Sequence, residues 1–202
     1  MKIKSFLVSI FLSGATIVLV TSCGSKKEEH SMDHEPSAVA DEQLAVPMPP
    51  QFEVDVEFQQ QVSTIFASYV SMKEAFVASD ASKVDKEAFK VQGAVSGIDA
   101  KSLSSAALND WKIYQDELIG ALKGIQSTDD LEKKRAAFSA VTDNLYKSIK
   151  AFGLGGAIAY YEYCPMAFNN AGAYWLSDNA VIRNPYFGDK MLKCGSVEEE
   201  LH

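Results

Sequence analysis

A chain of 202 residues, 47% apolar and 23% charged, has room for one folded domain and enough apolar material for its core. Its formal charge is −8, which argues against nucleic acid as a partner, because phosphate binding needs a basic face. With only three cysteines and three histidines, each position can be weighed by itself.

Residues 1–22 read as a lipoprotein signal peptide. Lys2 and Lys4 form a positive start, Phe6 to Val20 an apolar run too short for a good transmembrane helix, and Val20-Thr21-Ser22-Cys23 resembles a lipobox. In such a motif the Cys23 thiol takes the lipid and becomes the mature N-terminus, so a membrane partner is expected through that anchor. The alternative is an ordinary secretory signal that happens to contain a cysteine. Removing residues 1–22 takes away Lys2 and Lys4 and no acid, so the mature chain is more acidic still. Residues 23–50 carry Pro36, Pro47, Pro49 and Pro50 and no apolar periodicity, which predicts a disordered tether. Within it, His30, Met32 and His34 form an auxiliary metal-capturing cluster or, in the plainer reading, part of a solvated linker.

Residues 51–202 are expected to fold. From Gln51 to Tyr163 there is no proline, and apolar residues recur at helical spacing. A first helix over about 53–79 carries Phe58, Val62, Ile65, Phe66, Tyr69, Met72 and Phe76 on one stripe. A second over about 82–98 is weakened by Gly93 and Gly97, and a third over about 104–125 carries Trp111, Leu118 and Leu122. The fourth, over about 128–152, carries Phe138, Val141, Leu145 and Phe152, with Thr128 as N-cap and Gly153 as stop. Short breaks make an antiparallel neighbour arrangement the economical one. The expected fold is therefore all-α, a four-helix up-down bundle over about 53–152. An irregular, aromatic-rich C-terminal segment, about 157–200, packs on it.

That segment holds the chemistry. The histidines are His30, His34 and the terminal His202, so residues 51–201 offer no imidazole for acid–base catalysis, and no phosphate loop or nucleophile elbow is present. An enzyme is not expected. Cys164 and Met166 are separated by one residue and Met191 and Cys194 by two, so each pair can turn both sulfurs toward one point. Thiolate and thioether together suit Cu(I), whereas zinc more often recruits four cysteines or cysteine with histidine. Against this, two cysteines in an exported chain read first as a disulfide. A Cys164–Cys194 bridge would close a loop of about 30 residues, contribute roughly 3–4 kcal/mol in the chain-entropy picture, and leave both methionines as packing residues.

Tyr163-Cys164-Pro165-Met166-Ala167, Trp175-Leu176-Ser177, Ile182 through Gly188 and Met191 through Gly195, together with Tyr69 through Val77, resemble a domain of unknown function found in lipoproteins of Gram-negative bacteria. A similar domain ends some periplasmic adaptor subunits of heavy-metal efflux pumps. The likeness spans about 52–197. It implies a cell-envelope module, facing the periplasm or the cell exterior, that handles copper or another heavy metal, with an efflux complex or a copper chaperone as partner. The alternative kept open is an envelope interaction module whose tail is closed by the disulfide. Metabolic labelling with palmitate is expected to mark the protein and to miss its Cys23→Ser variant; equal labelling of both would refute the anchor.

Overall fold

The computed structural model describes residues 49–202. The signal segment, Cys23, nearly all of the tether and the His30, Met32, His34 cluster lie outside the described residues.

Four long helices form where the stripes predict them: α1 Val56–Val77, α2 Ala81–Ser96, α3 Ser105–Gln126 and α4 Leu131–Phe152. Side chains mark three of the four starts. The Asp80 carboxylate accepts from Lys83 N (2.9 Å), the Ser104 hydroxyl from Ala107 N (3.4 Å), and the Asp130 carboxylate from Glu132 N (2.9 Å) and Lys133 N (3.3 Å). Asp130 therefore caps α4 in place of Thr128, whose hydroxyl instead accepts from Asp130 N at 3.1 Å. Gly153 ends α4 at φ 78, with its N–H on Ile149 O; a Cβ there would lie 2.8 Å from Pro50. Successive helices pack on one another, and α1 also touches α4. Phe58, Val62, Ile65, Tyr69, Met72, Phe76, Trp111, Leu118, Phe138 and Phe152 are buried in one continuous core.

The all-α expectation needs correction. The tail folds into a three-stranded antiparallel sheet, ordered β2-β1-β3, from β1 Ala159–Cys164, β2 Ala173–Ser177 and β3 Ser196–Leu201. Tyr160-Tyr161-Glu162-Tyr163 and Tyr174-Trp175 are sequences that fit a pleated, half-buried surface. Asn169, Asn170 and Gly172, all at positive φ, form the turn between β1 and β2. The protein is mostly helical and bundle-like, with a β appendage packed on it through β2 against α4 and α1.

Two contacts dock that sheet. Tyr69 is fully buried, its hydroxyl 2.7 Å from Thr142 Oγ1 of α4 and accepting from Leu176 N of β2 at 3.2 Å. On the other side, the rings of Tyr146, Tyr161, Tyr174 and Tyr163 follow one another at centroid distances of 4.1, 4.6 and 4.5 Å, and Glu199 of β3 accepts from Tyr146 Oη and Lys150 Nζ, each at 2.6 Å. Glu162 of β1 is the costly residue. Its carboxylate is fully buried with no hydrogen-bond partner among the described residues, as is the indole N–H of its cross-strand neighbour Trp175. Burial pushes the Glu162 carboxyl up from 4.5 to about 8, opposed by the Lys73 charge and reinforced by Asp178 and Glu74.

Removing the Tyr69 hydroxyl in Tyr69→Phe strands the Leu176 N–H, and urea denaturation is expected to show a loss of about 1–3 kcal/mol. For Glu162, the folded chain keeps a proton that the unfolded chain releases above 4.5, so stability falls as pH rises from 4.5 and levels off above about 8. Denaturation midpoints across that window should slope downward for the wild type and lie flatter for Glu162→Gln; parallel curves would refute the assignment.

Candidate metal centre

Cys164 closes β1, and Cys194 sits in the turn that leads into β3. The antiparallel pairing of β1 with β3, which matches Tyr163 to Ser196, brings these two chain ends together. The Cys194 turn is built by Asn184, which is fully buried. Its side-chain amide donates to Cys194 O at 2.7 Å, its backbone N–H to Leu192 O at 2.9 Å, and its side-chain oxygen accepts from Tyr186 N at 2.8 Å and Phe187 N at 3.2 Å. Cys194 N donates to Met191 O at 3.0 Å. Gly195 follows at φ 145, where a Cβ would lie 2.6 Å from the Trp175 ring and 2.8 Å from Tyr163 O, so a side chain would push the turn off the sheet.

The result is a close sulfur pair. The Cys164 and Cys194 Sγ atoms lie 2.6 Å apart. Cys164 is fully buried and Cys194 partly so. Burial, together with the Cys164 thiol beside it, pushes the Cys194 thiol up to about 11, against a lowering by the Met166 backbone N–H. That environment disfavours the Cys194 thiolate.

The two methionines lie elsewhere. Met166 is 46% exposed, and it lines an open cleft of about 430 Å³ together with Met191. The same cleft is bounded by Phe168, Tyr186, Glu132 and Arg135, and neither cysteine lines it. The sequence-predicted set Cys164, Met166, Met191 and Cys194 is thus gathered at one end of the protein, but as a thiol pair and a thioether pair. Two backbone contacts link the pairs: Cys194 N donates to Met191 O at 3.0 Å, and the Met166 N–H lies beside the Cys194 sulfur. Among the described residues no group of three or more histidine, cysteine, aspartate or glutamate side chains converges as a metal site.

The donor chemistry fits a soft ion, and the thiol geometry sets a condition on it. Two sulfurs each about 2.3 Å from one ion must stand roughly 3.7–4.6 Å apart. The cysteines would have to spread to hold an ion between them, whereas the thioethers already border open space.

Several participants carried no clear signal in the sequence. Asn184 reads there only as a turn former, Glu132 as one of many surface acids, and Phe168 as an ordinary aromatic. The φ values of Phe168, Asn169 and Asn170, at 50, 58 and 68, form a left-handed turn that places Phe168 on the cleft. Asn169 and Asn170 are of the residue type that tolerates this conformation.

No curated protein and no solved structure matches the chain. A family described as a protein of unknown function (DUF3347) matches residues 65–156, from the middle of α1 to the glycines after α4. This match covers most of the helical body, stops before β1, and fits a domain of unknown function, with the sulfur-bearing sheet and turns lying beyond it.

Proposed function

We propose that this is a lipid-anchored protein of the cell envelope that binds a soft heavy-metal ion, Cu(I), through its C-terminal sulfurs and passes it to, or buffers it for, an efflux complex or a copper chaperone. The observation that carries the reading is the gathering of four sulfurs, far apart in sequence, at one end of the fold. Thiolates and thioethers prefer soft monovalent ions, and a site without imidazole or converging carboxylates has little to offer harder ones. The helices supply the rigid body on which the sheet and its turns are held. Cys23 at the membrane, with residues 23–50 as tether and His30, Met32 and His34 as an auxiliary capture point, would keep the domain near a membrane-borne partner. Binding and transfer by ligand exchange, without catalysis, is the role proposed.

A second reading is favoured by one specific observation, the 2.6 Å separation of the Cys164 and Cys194 sulfurs. In it the pair is a disulfide that closes the tail, and the aromatic surface above it docks an envelope partner without metal.

Thiol counting on protein purified without reductant, followed by titration of the reduced protein with Cu(I) against a chelator, separates the two. The first reading expects tight uptake by the wild type and its loss in the variant C164S/M166L/M191L/C194S, with helical circular dichroism intact. Equal affinity in both proteins, or no uptake by either, would overturn it in favour of the second.

A further inference from the structure

Resting on the soft-metal reading, we propose that the ion is taken by the thioethers of Met166 and Met191 in the cleft beneath Phe168, and that Cys164 and Cys194 are not its ligands but the clasp that holds the cleft in shape. The first ground is access. Met166 is 46% exposed and borders open space with Met191, while Cys164 is fully buried against a sulfur 2.6 Å away. The thioethers border open space, whereas an ion held between both thiols requires β1 to part from the turn before β3.

The second ground is what else borders the cleft. The Phe168 and Tyr186 rings stand edge to face there, with centroids 5.3 Å apart, and an aromatic face attracts a cation. The Glu132 carboxylate at the rim, its side chain 73% exposed, is paired with Arg135, so the two together add no net positive charge to repel a cation. Arg135 does not turn the cleft into an anion site. Its guanidinium already donates to Pro185 O at 2.9 Å, Phe76 O at 3.4 Å, Ser79 Oγ at 3.0 Å and the Glu132 carboxylate. Phe168 is also held at φ 50, a conformation costly for a bulky residue, and sites that bind are where such strain gathers.

The third ground is the position of the clasp. Cys164 lies two residues before Met166 and Cys194 three after Met191, so joining them fixes both thioethers across the cleft and removes freedom that binding would otherwise have to remove. Joining the thiols releases two protons and two electrons to an external protein disulfide, which becomes a dithiol. The oxidised chain is then the form that binds.

The test uses the mature full-length chain in a H30A/M32L/H34A background, so that the tether does not contribute, with Ag(I) as a redox-inert probe in chloride-free calorimetry. Oxidised protein, shown by thiol counting to have no free thiols, is expected to take up one ion, and C164S/C194S, which keeps both thioethers but lacks the clasp, to take it up more weakly. Oxidised M166L/M191L, with an unchanged near-ultraviolet spectrum, is expected to lose it. Retention in oxidised M166L/M191L overturns the proposal. So does uptake by reduced wild type alone, which moves the site to the thiols while leaving the soft-metal reading intact. Absence of uptake by every form, reduced and oxidised, overturns both. If C164S/C194S does not fold, the oxidised wild type and oxidised M166L/M191L still decide the matter.

Discussion

The hydroxyl of Tyr69 is the point through which the two halves of the protein hold each other. It reaches from α1 to Thr142 of α4 and accepts the N–H of Leu176 in the middle of β2. A backbone N–H in a buried strand must find an acceptor, and here the acceptor belongs to the helices and not to the sheet. Next to it, Phe138 stacks on Tyr69 at 5.2 Å and meets Phe76 and Tyr186 at 4.6 and 5.9 Å, so one ring of α4 touches the first helix and the cleft-forming turn together. Three short strands cannot bury enough surface to stand alone in water. The sheet exists because the helical body offers it both a hydrogen-bond partner and an aromatic floor.

With the sheet in place, the positions of the sulfurs follow. Antiparallel pairing of β1 with β3 sets the end of one strand beside the start of the other, which is where Cys164 and Cys194 lie. Asn184 then ties the Leu192–Cys194 backbone to the turn carrying Tyr186 and Phe187 with four hydrogen bonds, two as donor and two as acceptor. Arg135 anchors the same turn to the helices through Pro185 O. The cleft between Met166 and Met191 is thus bordered by a turn held from both sides.

The helices were legible in the sequence because their information is local and repeated: seven apolar residues of α1 share a face, and all seven are buried. The strands were not, since each is only five or six residues long and carries features that argue against a strand. Glu162 is the clearest case. A carboxylate in alternation with tyrosines reads as the solvent side of a strand, yet the protein buries it beside Lys73 and Trp175. Spacing brought the four sulfurs into one hypothesis but had no means of dividing them, because which way a side chain leaves a turn depends on the turn. The division rests on three consecutive left-handed residues and on one asparagine, features whose effect appears only after the chain has folded.

The division also has a chemical logic in an oxidising compartment. Thiols there are drawn into disulfides, so a binding site made of two cysteines 2.6 Å apart competes with their own bond. Thioethers have no such alternative, as methionine sulfur cannot couple to a neighbour and remains a soft donor while thiols are consumed. Under the proposed reading, a domain that offers a soft ligand outside the cytoplasm gains from assigning the bond to cysteine and the ion to methionine. On this view the high proton affinity of the Cys194 thiol is no defect. It suits a sulfur whose task is to hold its partner, leaving Met166 and Met191 free at the surface of the cleft.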